Sequence, residues 1–297
     1  MGFPSLSPAA TAATAATAAT APAPPFLKRP RTSCHECRIL QTLPSHPNLI
    51  SGTCRAGVLV LERADCDLHE YVRSKGHTLS CEEALRVAHQ VGQAILHLHT
   101  NQHAHNDVKL ENVLLFRGLR QYKLADLELS YPPGRPPRHL SNMVVGTWAY
   151  ASPEKERYRR RGGASSYCLF AADMWALGVL LHVCTKGTFP NGTTNPSPLI
   201  KRYHYSPPPP RSDDEASKII ELVLSHLLCP EPQRWTAKEV VMFVQSVYKE
   251  GITALPQTTR SSFQHHHFII SPQCLRPAAK WPCAPPPRAC DSTACQA

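Results

Sequence analysis

An α+β fold, mostly helical with a few short strands, is what this chain predicts. Several segments repeat apolar residues at three- and four-residue steps, the period of a helix with one buried face. Short apolar runs gather in two places, around 49–62 and 113–124, at strand length. The two ends of the chain, by contrast, are Ala, Thr, Pro and Ser stretches without periodicity.

Residues 1–33 hold Ala/Thr triplets over 11–20 and then Ala21-Pro22-Ala23-Pro24-Pro25. Such a segment lacks apolar alternation and is expected to be disordered. A short helix is predicted over 33–43. Strands follow at 49–54 and 57–62, turned by Arg55-Ala56. A helix begins over 67–72, and a long one starts at Ser80-Cys81-Glu82-Glu83, a capping box, and runs to about His99. Its Val87, Val91, Ala94, Ile95 and Leu98 share one face and read as core. The runs 113–116 and 122–124 form a hairpin turned at 117–120. Helices are then predicted at 171–184, 215–229 and 236–249, the last opening on a second capping box, Thr236-x-x-Glu239. Pro207 to Pro210 read as a stiff linker, and 250–297 as a disordered tail.

The length of 297 residues suits one domain of about 200 residues with tails. Much of the net charge of +10 lies in those tails, which reads as solvated disorder and not as a specific nucleic-acid site. No apolar run approaches the roughly 18 residues of a membrane span, so none is expected. With no secretory signal, a cytoplasmic or nuclear location follows as the expectation. The twelve cysteines are scattered and predict reduced thiols. Cys34-x-x-Cys37 has ligand spacing but no second pair, and zinc is not expected.

Chemistry concentrates in His105-Asn106-Asp107-Val108-Lys109-Leu110-Glu111-Asn112 and Leu124-Ala125-Asp126. Phosphoryl transfer to a hydroxyl needs a carboxylate to take the proton, a cation on the γ-phosphate and oxygen ligands for Mg²⁺. Asp107, Lys109, Asn112 and Asp126 are those residue types in that order, and the hairpin after Asn112 would bring it beside Asp126.

These motifs resemble the eukaryotic-type serine/threonine protein kinase family. Besides the loop at 105–112 and Asp126-Leu127-Glu128, Gly146-Thr147-Trp148-Ala149-Tyr150-Ala151-Ser152-Pro153-Glu154 is similar to the end of the family's activation segment. Ala171-Ala172-Asp173-Met174-Trp175 resembles its central helix, and Cys229-Pro230-Glu231-Pro232-Gln233-Arg234 the segment whose Arg pairs with the activation-segment Glu, here Glu154. Lys109 and Thr147 follow the serine/threonine version. Glu111 to Phe116 give a distant likeness to SH3-binding-domain kinases.

The resemblance implies a kinase-like fold with a remnant of the small lobe over 34–66 and the large lobe over 67–249. It implies ATP and Mg²⁺ as cofactors, Asp107 as base, Lys109 on the γ-phosphate, and Asn112 and Asp126 as metal ligands. It also implies Glu62 and Ala64 at the adenine hinge, Asp67 on the ribose, Leu114 beneath adenine, and Thr147, Asp173 and the Glu154–Arg234 pair as structural residues.

Two family features are not found: a G-x-G-x-x-G before the hinge and a V-A-I-K strand lysine. Lys28 is a poor substitute, since it lies too few residues before Glu36 to come from a separate strand and Pro30 intervenes. Glu36 itself reads two ways, as the family's helix glutamate or as part of a capping box with Ser33. Without further strands, 58–61 is expected to be an exposed sheet edge. Asn106 replaces the family's Arg, and Glu128 its Gly. The implied function is phosphate transfer from ATP to protein Ser or Thr, with activity weak or lost. The alternative is a non-catalytic scaffold. The partner is a protein in either case, as substrate or as binding partner.

Overall fold

The computed structural model describes residues 25–28, 35–56, 58–133, 145–162, 167–192 and 214–250. The linker at 207–210, the tail beyond 250 and Ser33 lie outside them.

The small lobe is a three-stranded antiparallel sheet with one helix. Its strands are β1 (Phe26–Lys28), β2 (Gly52–Arg55) and β3 (Val58–Leu61), in the order β1-β3-β2. Lys28 pairs with Leu59 in register, and Cys54 pairs with Leu59 from the other side. Two expectations are corrected here. Residues 26–28 are a strand, within a segment expected to be disordered, and β3 is the centre of the sheet and not its edge. The apolar pair Phe26-Leu27 is enough to extend the ladder once β3 offers a partner. Helix α1 (His35–Thr42) packs across β2, and Cys37 and Cys54 are joined by a disulfide with their Cα atoms 5.6 Å apart. This pair departs from the expected reduced thiols. It arises because α1 and β2, remote in the reading of spacing, meet face to face.

The large lobe begins with β4 (Cys66–Asp67) and α2 (Leu68–Ser74). It continues through α3 (Cys81–Thr100), the hairpin β5 (Val113–Phe116) and β6 (Gln121–Leu124), α4 (Pro153–Arg160), α5 (Leu169–Lys186), α6 (Glu215–Leu227) and α7 (Ala237–Glu250). Both capping signals stand at helix starts. Ser80 accepts from the Glu83 amide, while the Glu83 carboxylate turns to Arg86 and Tyr122. At α7 the box is complete: Thr236 N donates to Glu239 Oε2 at 2.7 Å, and Glu239 N to Thr236 Oγ1 at 3.3 Å.

The core lies where α3 meets α5, α6, α7 and β6. Val87, Val91, Ala94, Ile95 and Leu98 are all fully buried there, as their spacing predicts. Helix α5 has 18 residues and a mean hydropathy of 1.3, so by length and composition it could cross a membrane. That modifies the expectation that no stretch comes close. Its sides are covered by neighbouring helices, which is why it is apolar all round. A Cβ at Gly178 would stand 2.8 Å from Leu227 Cβ, so the α5–α6 approach requires glycine.

Candidate active site

Four pieces of chain converge between the lobes: β1, α1, the loop 105–112 and the segment after β6. The hairpin does what its pattern implied, for Ala125 N donates to Asn112 O at 2.8 Å and brings Asp126 next to Asn112. His105, fully buried, ties the two pieces together. Its Nε2 lies 2.9 Å from Ala125 O, and Asp107 N donates to its Nδ1 at 3.2 Å. An Nε2-protonated neutral ring satisfies both contacts. Asn106 and Asp126 both have positive φ, 68° and 65°, and Asn and Asp tolerate that region better than other side chains.

Asp173 of α5 is the anchor beneath this loop. It accepts from His105 N and Asn106 N at 2.8 Å each, and lies 3.0 Å from His99 Nε2. The Asn106 side chain donates to Leu129 O at 2.8 Å, so it braces the segment after Asp126.

Asp107 is the centre of a dense set. Its Oδ1 accepts from the Thr147 amide and hydroxyl, both at 2.7 Å, and its Oδ2 from Lys109 Nζ at 2.6 Å and Asn112 Nδ2 at 3.1 Å. Burial alone would push this carboxyl up. The hydrogen bonds from Lys109 and Thr147, with the Lys109 charge, outweigh it and hold Asp107 below the ordinary carboxylate range. Thr147 reaches this position because Gly146 has φ +95° and a Cβ there would lie 2.2 Å from Asn106 O.

Lys28 is the residue that sequence reasoning rejected. Its Nζ stands 2.8 Å from Glu36 Oε2 and 2.8 Å from Asp126 Oδ1. Six residues, 29–34, separate strand from helix, and an extended chain of that length spans up to about 20 Å. The spacing was therefore sufficient. The available signal was Phe26-Leu27-Lys28, two apolar residues ending in a lysine ahead of a helix glutamate. Glu36, only 1% exposed, also accepts from Leu127 N at 3.0 Å. Its carboxylate thus serves the interlobe network, while the capping-box partner Ser33 lies outside the described residues.

The remaining expected positions fall around this centre. Leu114 is half-buried against the interlobe cluster of Cys37, Ile50, Leu59, Leu61 and Ala125. Glu62 and Ala64 lie on the segment joining β3 to β4. The Glu62 carboxylate is held by Lys123 Nζ at 2.7 Å and by Ser51 N at 2.8 Å. Asp67 caps α2, accepting from Glu70 N at 2.8 Å, so any ribose contact would share this carboxylate. Glu154 and Arg234 form the expected buried pair at 3.0 Å, with Arg234 NH1 donating to Ala171 O as well.

The donor set suits Mg²⁺ with a nucleotide. Asp126 and the Asn112 amide oxygen are hard oxygen ligands, and Asn112 spends its NH₂ on Asp107, which leaves that oxygen to face a cation. Lys28 adds a cation to this donor set from the small-lobe side.

Fold and site together define a protein-kinase-like domain. The chain belongs to the eukaryotic-type serine/threonine protein kinase family, for the family model described as protein kinase domain matches residues 25–244. Among curated relatives, human Tribbles homolog 1 is 32% identical over 222 residues, covering 70% of this chain and 56% of the relative. The zebrafish serine/threonine-protein kinase SBK1 is 35% identical over 116 residues, 38% of this chain and 28% of the relative. Human NUAK family SNF1-like kinase 2 is 32% identical over 189 residues, 60% of this chain and 28% of the relative. The chain thus spans about half or less of the length of these relatives.

Proposed function

We propose that this chain transfers the γ-phosphate of ATP to serine or threonine of a protein. The observation that carries the proposal is Lys28, held at 2.8 Å from both Glu36 and Asp126, a cation standing in for the V-A-I-K lysine that the sequence lacks. When bound, Mg·ATP supplies the phosphoryl group and the cations that offset its charge. Asp126 and Asn112 would hold the metal. Asp107 orients the acceptor hydroxyl and takes its proton. Lys109, already beside Asp107, offers its remaining N–H groups to the transferred phosphoryl oxygens. Hydroxyl acceptors of the Ser/Thr type are favoured by Lys109 and Thr147. Exposed Glu111 supports a basic residue near the acceptor.

A non-catalytic scaffold is the second reading. It is favoured by the lack of a G-x-G-x-x-G between residues 1 and 62, a loop that in the family covers the phosphates with backbone amides.

The test is phosphate incorporation from radiolabelled ATP into a basic Ser/Thr peptide by the parent and by Asp107→Asn. Incorporation by the parent alone supports phosphotransfer. Equal incorporation by both identifies a contaminating kinase and moves the chain to the scaffold reading.

A further inference from the structure

The basic run 155–161, which no part of the site chemistry uses, stands directly beside the acceptor position. Thr147 touches the catalytic carboxylate, and the next residue, Trp148, begins the single turn Trp148–Tyr150. The Arg159 guanidinium lies over the Trp148 ring, 4.6 Å from its centroid. Arg159 and Arg160 both project from the end of α4, with side chains 52% and 51% exposed. Each is oriented by one carboxylate, Glu156, which is itself fully buried: Arg159 Nε donates to Oε2 at 2.9 Å and Arg160 Nε to Oε1 at 2.6 Å.

The bland explanation is that cations at a helix C-terminus complement the backbone dipole. That accounts for one or two charges in the last turn. It does not account for a buried glutamate aligning two arginines, nor for one of them standing over the ring of the residue that follows Thr147. The run holds five cations, Lys155, Arg157, Arg159, Arg160 and Arg161, and one acid, Glu156. Arginine held in this way is preorganised for a carboxylate, since its planar fork loses little freedom on pairing.

We propose that Arg159 and Arg160 form a substrate-specificity surface that pairs with an acidic side chain of the protein substrate, close to the phosphorylated residue on its Trp148 side. This rests on the phosphotransfer reading for its biological sense, but the surface itself is testable without catalysis. With Glu111 exposed as well, the preferred segment has mixed charge: basic near Glu111, acidic near Arg159.

The experiment uses the full chain and Ser-containing peptides in which Asp, Ala or Lys is placed in turn at each position on either side of the acceptor. Binding is read by fluorescence anisotropy at low salt, and transfer by radiolabel incorporation. The expected result is one position, adjacent to the acceptor on one side, at which Asp binds about fivefold better than Ala and Lys binds worse, the scale of an exposed, well-oriented ion pair. In Arg160→Gln, and separately in Arg159→Gln, that ratio falls towards one. Each variant leaves Glu156 a remaining arginine, and circular dichroism checks that it folds. An Asp/Ala ratio of one at every position in the parent overturns the specificity surface, whatever the transfer assay gives. A ratio unchanged in both variants overturns the assignment to these two arginines. Selective binding of the acidic peptide with no transfer to any peptide leaves the surface standing and overturns the phosphotransfer reading.

Discussion

Lys28 of strand β1 and Glu36 of helix α1 form an ion pair at 2.8 Å across only eight positions of sequence. The glutamate is buried and the lysine partly so, and the same ammonium also bonds Asp126, 98 positions away. Burial would lower the lysine pKa, but the hydrogen bonds and charges of Asp126 and Glu36 outweigh that and raise it, so Lys28 is charged at neutral pH. One side chain thereby links the small-lobe sheet, its helix and the segment after β6.

Lys28→Met is expected to reduce kcat/KM for peptide phosphorylation by about 10²–10³, the usual cost of removing one preorganised electrostatic donor. Steady-state assays at saturating Mg²⁺ check this. Activity within a factor of a few of the parent would mean that Lys28 serves only the fold.

Arg234→Ala should destabilise the large lobe whether or not the protein catalyses anything. Arg234 is completely buried and bonds Glu154, Leu227 O, Cys229 O and Ala171 O. Stranding Glu154 typically costs about 3–5 kcal/mol. For a domain of this size that is a fall in Tm of roughly 10 °C. Differential scanning calorimetry gives the answer, and a variant that melts with the parent refutes the pairing.

Asp107→Asn should abolish transfer while Mg·ATP still raises Tm, because it removes the base and spares Asn112 and Asp126. Loss of both transfer and nucleotide stabilisation would assign Asp107 a larger part in binding.

The same variant reports on pH. The Asp107 carboxyl titrates below its unfolded value of about 3.9. Its contribution is therefore fully present above that value and lost as pH falls through the depressed folded one. The stability gap between parent and Asp107→Asn, from urea unfolding, should be largest near neutral pH and shrink towards about pH 3. A gap that stays constant over that interval contradicts the depressed titration.

Reduction of the Cys37–Cys54 bond should lower stability by about 3 kcal/mol, since the two cysteines close a loop of 17 positions. Melting curves with and without reductant measure it, with Cys54→Ser as the control that should no longer respond. An identical Tm under both conditions would show that the bond contributes nothing.

Much of the fold was legible because its signals are local. Val87 to Leu98 lie one or two helical turns apart, so their shared burial is written in the spacing itself. Ser80 and Thr236 each announce a helix start within three residues of the group they bond. The loop around Asp107 was legible for a related reason: Asp107, Lys109 and Asn112 act on one another across at most five positions.

The sequence by itself thus determined the helices, the hairpin that sets Asp126 beside Asn112, and the order of motifs naming the family. Tertiary structure alone decided that Phe26–Lys28 is a strand, because its stabilisation comes from pairing with β3, more than thirty positions on. It also decided that Cys37 meets Cys54, and that Arg159 lies over Trp148 beside Thr147. Such contacts depend on how separate elements pack, and no periodicity within either element encodes the distance between them.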